Sequence, residues 1–439
     1  MHIKLRLIVM NFFQFFIWGS WLLTIGAYWF QTLHTLYPVL DPVTHASVWT
    51  NAAFGALFST MGIASLFAPS LLGIIADRWI NAEKLYGICH ILGAAALFSL
   101  PMVKDPALMF WVLLLNMVFY MPTLSLSITV AYTALKNKGA NVVVDYPPIR
   151  VFGTVGFIIA LWTVSLLGFE TSAKQFYVAA AASLFLGLYA FTLPKCPPLL
   201  SLKQNKSLLD VLGLTSFSLF KQRKMAVFFI FCLLLGAALQ LTNAYGDTFL
   251  HDFGKVAKYQ QLTAVKYPAI IMSISQISET LFILAIPFFL RRFGIKYVMF
   301  ISMIAWVLRF GLFAFGNPGD GLWMIILSCI VYGMAFDFFN ISGSLFVETQ
   351  SDPAIRASAQ GLFMMMTNGF GAVIGSSVSG LVIQKYFTYT DGEKNWHGIW
   401  MGFAAYALII AVLFLFVFKH KHDPNAIKNI HEEPLLATE

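Results

Sequence analysis

The chain has 439 residues, of which 59% are hydrophobic and only 11% are charged, and its mean hydropathy is +0.76. A soluble globular protein has about 25% charged residues, so burying one core cannot keep this much apolar surface from water. The composition therefore predicts a protein whose solvent is lipid. The net charge of +8 does not indicate nucleic-acid binding, for which the basic residues should cluster on one folded face.

Apolar stretches long enough to cross a bilayer, at about 20 residues each, recur along the whole chain. The first stretch has no small-residue cleavage site after a short apolar core, so we expect a retained helix instead of a signal peptide. The pattern predicts an all-α polytopic membrane protein with twelve transmembrane helices. In chain order the stretches are 7–31, 52–76, 86–103, 107–133, 148–169, 175–194, 225–250, 267–290, 295–316, 321–347, 357–386 and 398–418.

The lysines and arginines predict the orientation of these helices. With a cytoplasmic N-terminus, 19 of the 28 basic residues fall in inner segments and seven in outer loops, while Arg150 and Arg309 fall within spans. This excess on the inside satisfies the positive-inside rule. We therefore expect both termini to be cytoplasmic.

The longest polar connection, 195–224, divides the twelve stretches into six and six. Transporters are often built from structurally repeated halves, which makes this division informative. The predicted organisation is an N-terminal half over 1–194, a cytoplasmic linker over 195–224, a C-terminal half over 225–419 and a cytoplasmic tail over 420–439.

Two short similarities between the halves favour a duplication. "PPIRVFGTVGF" (147–157) opens span five and "PAIRASAQGLF" (353–363) opens span eleven, and they share Pro-x-Ile-Arg with a Phe ten residues after the Pro. "GIIADRW" (73–79) follows span two and "PFFLRRFG" (287–294) follows span eight, each placing basic residues at the inner end of a helix. Both similarities fall at corresponding places in the two halves.

Polar and ionisable residues within the spans are candidates for function, because they are costly in hydrocarbon and tend to face a cavity. Residues three or four apart share a helix face. Glu279 lies twelve residues past Tyr267, about 18 Å along a helix, and so near the midplane of the bilayer. Sets with this spacing are Arg150, Thr154 and Phe157 in span five, Gln240 and Asn243 in span seven, Gln276 and Glu279 in span eight, and Asp337 and Asn340 in span ten, with Tyr332 and Phe336 before them.

This mixture of side chains suits a neutral polar solute. Amides and carboxylates supply donors and acceptors for a polyhydroxylated molecule, and phenyl rings offer a face to a flat ring. A sugar fits the polar groups almost as well as a nucleoside does. The polar pairs argue against a drug exporter, which favours a broad apolar cavity.

The residues also bear on the driving force. No Walker-type GxxxxGK[ST] run is present, which argues against ATP hydrolysis and for a coupling ion. Low dielectric favours the neutral form of a carboxyl group, so Asp337 and Glu279 are candidates to bind a proton. Our hypothesis is that Asp337 carries the coupling proton and Glu279 holds the solute, with the opposite assignment left open. Arg309 needs a buried partner, and an ion pair with Asp337 is the competing interpretation.

Structural explanations compete with the functional ones at each position. Gln276 with Glu279 can staple two helices together, as polar pairs do in membranes. Gln240 with Asn243 can do the same, and Arg150 can extend to the inner surface. Phenylalanine side chains can simply pack in a chain with 43 of them.

An enzyme is not predicted. No HExxH or GxSxG pattern is present, and the four cysteines show no metal-binding spacing. His251 and Asp252 are adjacent in sequence, but they lie at an outer helix end with no third group predicted near them.

The segment "GIIADRW" resembles the loop motif between helices two and three of the major facilitator superfamily, with Gly73, Asp77 and Arg78 at the motif positions. The usual further Gly and basic pair are replaced by "INAEK" (80–84). The resemblance implies that these three residues govern the conformational switch and do not bind substrate.

Five further segments carry a second resemblance: "FFIWGSWLLTIGAY" (15–28), "YPPIRVFGTVGF" (146–157), "SISQISETLFIL" (273–284), "YGMAFDFFNISGSLFVE" (332–348) and "IRASAQGLFMMMTNGFG" (355–371). Through them nearly the whole chain resembles the bacterial nucleoside:proton symporter family of that superfamily. The resemblance implies two pseudo-symmetric six-helix halves and proton-coupled nucleoside uptake at the inner membrane. It also implies the proton as coupling ion with no other cofactor or metal, and we expect a monomer. It assigns substrate binding to Arg150, Thr154, Phe157, Gln240, Asn243, Gln276, Glu279, Tyr332 and Phe336.

Overall fold

The computed structural model describes residues 3–37, 47–198, 214–352, 355–390 and 392–420. Half of the predicted linker and all but one residue of the predicted tail lie outside these ranges. Below, residues 3–198 are called the N-terminal segment and residues 214–420 the C-terminal segment.

The described residues are almost entirely helical, as predicted. The longer helices are α1 Ile3–Gly19, α2 Asn51–Arg78, α3 Ala82–Ser99, α4 Pro106–Lys136, α5 Val142–Leu166, α6 Lys174–Ala190, α7 Arg223–Asp252, α8 Pro268–Phe315, α9 Leu322–Gln350, α10 Arg356–Met364, α11 Ala372–Tyr386 and α12 Trp396–Val417.

Short helical pieces and an isolated β-bridge are also present among the described residues. Thr388 and Lys394 form an isolated antiparallel bridge. The short pieces are Ile25–Ala27, His34–Leu36 and Thr263–Lys266, the 3₁₀ turns Leu100–Met102, Leu214–Lys221 and Phe253–Lys255, and the π-helices Tyr28–Leu33 and Met365–Gly371.

Within the described ranges, nine helices are long and apolar enough to cross a membrane, taking Ser358–Tyr386 as one of them. The chain is therefore a multi-pass membrane protein.

Several helices begin at a residue whose side chain caps the first turn. Thr50 Oγ1 accepts a hydrogen bond from Ala53 N at 3.1 Å at the start of α2. Asp105 Oδ1 accepts one from Leu108 N at 2.8 Å at the start of α4. Such caps satisfy backbone donors that the helix itself leaves unpaired, and so fix where each helix begins.

Helix α8 runs for 48 residues but is bent at Gly294. The backbone there has φ 75° and ψ 169°, a conformation that glycine adopts without the strain a Cβ would cause. This break falls where the sequence predicts the end of span eight and the start of span nine.

Helices α1 and α5 pack so closely that their side chains share one wall of the interior. A Cβ on Gly19 would lie 2.6 Å from the carbonyl oxygen of Phe157. This approach brings Phe15 and Trp18 of α1 next to the face of α5 that carries Arg150.

The N-terminal and C-terminal segments contact each other directly at the end of the bundle that the basic residues predict to face outward, here called the outer end. Asn51 N donates to Gln384 Oε1 at 2.9 Å, and Asn51 Nδ2 donates to Thr388 Oγ1 at 3.1 Å. Trp162 Nε1 donates to Ser273 Oγ at 2.9 Å. These hydrogen bonds join the two segments there.

Candidate functional site

A cavity of about 320 Å³ lies between the N-terminal and C-terminal segments. This volume falls within the range of about 300–1,000 Å³ that is usual for small-molecule sites. The structure places all nine predicted substrate-binding residues on its wall: Arg150, Thr154, Phe157, Gln240, Asn243, Gln276, Glu279, Tyr332 and Phe336.

The charges on the cavity wall balance. Arg150 of the N-terminal segment and Glu279 of the C-terminal segment are its two charged lining residues. A site with one positive and one negative group favours a neutral solute, because an ionic ligand would leave one charge uncompensated in low dielectric.

Arg150 is held in place by an aromatic ring. Its guanidinium carbon lies 4.0 Å from the centroid of Phe15, which is a cation–π contact. Gly153 makes room for this pair, since a Cβ there would lie 2.7 Å from Arg150 Nη1. Arg150 thus faces the cavity, and the alternative that it extends to the inner surface is not what the structure shows.

Three buried polar atoms on the cavity wall have no hydrogen-bond partner among the described residues. They are Gln240 Oε1, Gln276 Oε1 and Trp18 Nε1. A buried acceptor or donor that stays unpaired costs about 1–3 kcal/mol, so such groups in native structures usually meet a ligand or water. Neither amide oxygen forms a hydrogen bond between two helices, which was the structural alternative for Gln240 and Gln276.

Aromatic rings form another part of the wall. The rings of Tyr332 and Phe336 are nearly parallel, with their centroids 6.1 Å apart. Trp306 packs edge-on against Tyr332 at 5.9 Å from the other direction. The faces of these rings are suited to stacking against a planar group of a ligand.

Arg309 does not pair with Asp337, so the ion pair that competed with a proton-linked role for Asp337 is not formed. Its guanidinium donates to Ser328 O at 2.9 Å and to Thr242 Oγ1 at 3.3 Å. It also lies 4.5 Å from the ring centroid of Tyr332. These partners of Arg309 are neutral and belong to α7 and α9.

Asp337 is buried and is not among the residues that line the cavity. Its side chain follows Phe336 on α9, and the residue is 5% exposed. Its Oδ2 accepts no hydrogen bond from the residues that the structure describes. Asp337 and Glu279 therefore occupy different environments, since of the two only Glu279 lies on the cavity wall.

The cavity also has lining residues that sequence reasoning missed. Trp18 and Phe15 belong to α1, and Asn368 belongs to the π-helix Met365–Gly371. Asn368 is a polar residue inside an apolar span, a signal of the same kind that pointed to Gln240 and Asn243. Trp18 gave no signal of its own among 11 tryptophans.

The residues predicted to control the conformational switch lie at the inner end of α2, away from the cavity. Asp77 is exposed and Arg78 is half-buried. A Cβ on Gly73 would meet no atom within 4 Å. Their role in switching stays a prediction.

At the outer end, His251 has partners that the sequence did not reveal. Its Nε2 lies 2.7 Å from Glu170 Oε2 and 3.6 Å from Asp247 Oδ2. The expectation that no third group accompanies His251 is therefore wrong.

A multi-pass helical protein with a balanced polar cavity between two parts of its chain has the architecture of a membrane carrier for small solutes. A family model described as nucleoside H+ symporter matches residues 1–423. The chain belongs to this family, which confirms the resemblance found in its sequence.

Characterised relatives match over nearly their full length. The chain is 52% identical to the xanthosine permease of Escherichia coli (strain K12), over 98% of this chain and 99% of the permease. It is 51% identical to the nucleoside permease NupG of the same organism, over 96% and 97%. The crystal structure of the nucleoside transporter NupG superposes with a TM-score of 0.86, over 96% of this chain and 100% of that one.

These matches confirm two predictions from the sequence. The chain is a transporter and not an enzyme, because its family and these relatives are carriers. Proton-coupled nucleoside transport, predicted from the motifs, is the activity by which the family is described.

Proposed function

We propose that this chain imports nucleosides together with protons across the bacterial inner membrane by alternating access. The observation that carries the proposal is the cavity between the segments, where unpartnered amide oxygens and an indole N–H lie beside stacked aromatic rings. A nucleoside offers its ribose hydroxyl groups to the unpartnered polar atoms and its planar base to the aromatic rings. A sugar would leave the ring faces unused, which makes it the weaker candidate.

The proposed binding roles follow from the chemistry of each wall. Gln240, Asn243 and Gln276 hydrogen-bond the ribose and the base edge, and Glu279 accepts from a ribose hydroxyl. Tyr332 and Phe336 stack against the base. Phe157, Arg150 and Thr154 complete the contact from the N-terminal segment.

We propose that the proton is the coupling ion and that no other cofactor takes part. Glu279 lines the cavity and is placed to contact the solute, whereas Asp337 is not among the lining residues and has no ion pair to Arg309. This separation supports Asp337 as the proton carrier and Glu279 as chiefly a solute ligand. A buried carboxyl that gains and loses a proton changes the charge near the site without contacting the substrate.

We infer that the chain crosses the membrane twelve times as two six-helix halves, 1–194 and 225–419. Three observations each add one span to the nine that are clear from length and composition. Gly294 divides the 48-residue α8 into two arms, and α1 and α6 are apolar helices of 17 residues each. Residues 195–224 then form a cytoplasmic linker and residues 420–439 a cytoplasmic tail.

In this arrangement the two halves rock about the fixed cavity. The contacts between the segments at the outer end support a state closed to the outside and ready to release solute inward. Gly73, Asp77 and Arg78 govern the switch from the inner end of α2. The working unit is a monomer in contact with lipid, with both termini cytoplasmic.

The test is uptake of labelled uridine, adenosine and xanthosine by cells that lack their own nucleoside carriers, with and without a protonophore. We expect uptake that the protonophore abolishes.

Glu279→Gln should raise the KM for nucleoside strongly, because it weakens a solute contact, while leaving the protonophore sensitivity of the residual uptake intact. Asp337→Asn should abolish accumulation against a gradient but retain exchange of labelled for unlabelled nucleoside.

Two outcomes would refute parts of this proposal. If no nucleoside is taken up although the protein is present in the membrane, the substrate class is wrong and sugars come next. If Asp337→Asn still accumulates nucleoside against a gradient, Asp337 is not the proton carrier and Glu279 takes that role.

A further inference from the structure

A cluster of metal-ligating side chains lies at the outer end, separate from the substrate cavity. Asp247 and His251 are one turn apart on α7, and Glu170 lies in the connection between α5 and α6. The three ligand atoms all lie within 4.8 Å of one another. Glu170 belongs to the N-terminal segment and the other two to the C-terminal segment, so the cluster spans the interface.

Glu170 is oriented toward the cluster by its surroundings. Its Oε1 accepts a hydrogen bond from Ala269 N at 3.3 Å, at the start of α8, which leaves Oε2 to face His251. Gln175 Nε2 donates to the backbone carbonyl of Glu170 at 3.0 Å and fixes the connection. The carboxylate is thus held in position by groups from both segments.

Asp247 is the unusual member of the cluster. Its side chain is 0% exposed, and neither carboxylate oxygen has a hydrogen-bond partner among the described residues. Burying a carboxyl group without such partners is costly. Its Oδ2 lies 3.6 Å from His251 Nε2, so the unpartnered carboxyl group faces the centre of the cluster.

Two lysines at the outer end bind a different carboxylate. Lys255 Nζ and Lys394 Nζ lie 3.3 Å and 3.6 Å from Asp252, which also accepts a hydrogen bond from Trp396 Nε1 at 3.0 Å. The cluster therefore contains two carboxylates and one imidazole. Even a charged imidazole leaves one negative charge without compensation when both carboxylates are ionised.

We propose that Glu170, Asp247 and His251 bind a divalent transition-metal ion, for which Zn²⁺ is the chemical match. Imidazole nitrogen and carboxylate oxygen are common zinc ligands, and three such ligands with one water complete a tetrahedral site. Two ligands held about 2.0–2.1 Å from zinc are about 3.4 Å apart in that geometry, close to the His251–Asp247 separation.

Binding requires only a small rearrangement. The His251–Glu170 distance of 2.7 Å is that of a hydrogen bond and must widen by less than 1 Å. His251 coordinates through Nε2 as a neutral imidazole, and the proton between these two groups leaves to solvent. His251 is 11% exposed and offers the entry from outside.

The metal would lock one state of the carrier. Its ligands come from both segments, so the complete site exists only while the outer end is closed. A ligand that binds one conformation shifts the population toward it, and Zn²⁺ should therefore inhibit transport by preventing reopening to the outside. This goes beyond nucleoside transport, because neither the substrate nor the coupling proton uses these residues.

The first test is calorimetric titration of the purified, chelator-treated full-length protein with ZnCl₂. We expect one site per chain, and His251→Gln should weaken it by more than about tenfold, since even outer-shell partners of a metal contribute that much. His397→Gln is the matched control, because His397 lies at the same end of the molecule and its Nδ1 contacts only Ala314 O among the described atoms. If His251→Gln does not fold by size-exclusion chromatography, Glu170→Gln replaces it.

The second test is nucleoside uptake into proteoliposomes with Zn²⁺ added outside. We expect inhibition of the wild type and of His397→Gln, and none of Glu170→Gln. The proposal would be overturned if the wild type bound no zinc, or if His251→Gln and His397→Gln bound it with equal affinity. Zinc binding without inhibition of uptake would show that the metal does not hold the outer end closed. Zinc binding in a protein that transports no nucleoside would refute the proposed substrate and leave the metal site standing.

Discussion

At the scale of single residues, Tyr332 packs against a buried cation that pairs with no carboxylate among the described residues. Arg309 is 0% exposed and is satisfied by Ser328 O, Thr242 Oγ1 and the ring of Tyr332. Only a planar guanidinium can reach neutral acceptors on several helices while its face lies on a ring. Arg309 therefore positions one wall of the site without contacting the substrate.

We expect Arg309→Lys to raise the KM for nucleoside by about fivefold, the equivalent of losing a cation–π contact of about 1 kcal/mol. An ammonium group is a point charge and cannot keep both the hydrogen bonds and the ring contact. The maximal rate per carrier should change less than KM. The measurement is initial uptake rate against concentration, corrected for the amount of protein in the membrane.

Tyr332→Phe is the companion variant, because it keeps the ring that Arg309 contacts. It should leave the effect of Arg309→Lys unchanged in the double variant. If Arg309→Lys lowers only the amount of protein in the membrane, with KM unaltered, Arg309 has a structural role alone.

Sequence spacing predicted residues that line the cavity because each set lies on one helix face. Gln276 and Glu279 are three residues apart, and their shared face needs no knowledge of the fold. The partners of His251 could not be predicted in this way, since Glu170 is 81 residues distant in sequence. Trp18 was missed for a similar reason, because only the close approach of α1 to α5 places it on the wall.

At the scale of helices, hydropathy predicted where the spans lie but not where they deviate from α-helical geometry. Predicted span one, 7–31, is interrupted after Gly19 and continues through the π-helix Tyr28–Leu33. Span eleven contains the π-helix Met365–Gly371, which places Asn368 on the cavity wall. Such bulges depend on packing against neighbours and are frequent at functional sites.

Close packing of α2 against α11 closes the outer end, and it depends on two glycines. A Cβ on Gly55 would lie 2.3 Å from the carbonyl oxygen of Ser376 and 3.0 Å from Gly380 Cα, so α2 and α11 would have to move apart. We expect Gly55→Ala to weaken this closure and shift the carrier toward the outward-open state without unfolding it. Labelling of a cysteine introduced in place of Asn51 by a membrane-impermeant maleimide should accelerate severalfold.

Gly311→Ala is the matched control, because a Cβ at that position meets no atom within 4 Å. It should leave the labelling rate unchanged. If Gly55→Ala and Gly311→Ala label at the same rate as the parent, the contact between α2 and α11 does not control access from outside.

At the scale of the whole molecule, the contacts at the outer end join parts of the chain that are far apart in sequence. Asn51 reaches Gln384 and Thr388, and Glu170 reaches His251 and Ala269. If the carrier works by alternating access, all of these contacts must break in every transport cycle. A covalent bond across this interface should therefore stop transport completely, whereas a bond within one segment should not.

The double variant Asn51→Cys, Thr388→Cys tests this directly, because these side chains are in hydrogen-bond contact at 3.1 Å. Oxidation should abolish nucleoside uptake, and reduction should restore it, while each single variant stays active. The four native cysteines are buried and should not react under mild oxidation. The matched control is Thr388→Cys, Lys394→Cys, a pair directly opposed in an antiparallel bridge within the C-terminal segment, which should cross-link without loss of uptake. If uptake persists after complete formation of the cross-link between positions 51 and 388, the substrate enters without separation of α2 from α11. Alternating access by rocking halves would then be wrong for this carrier.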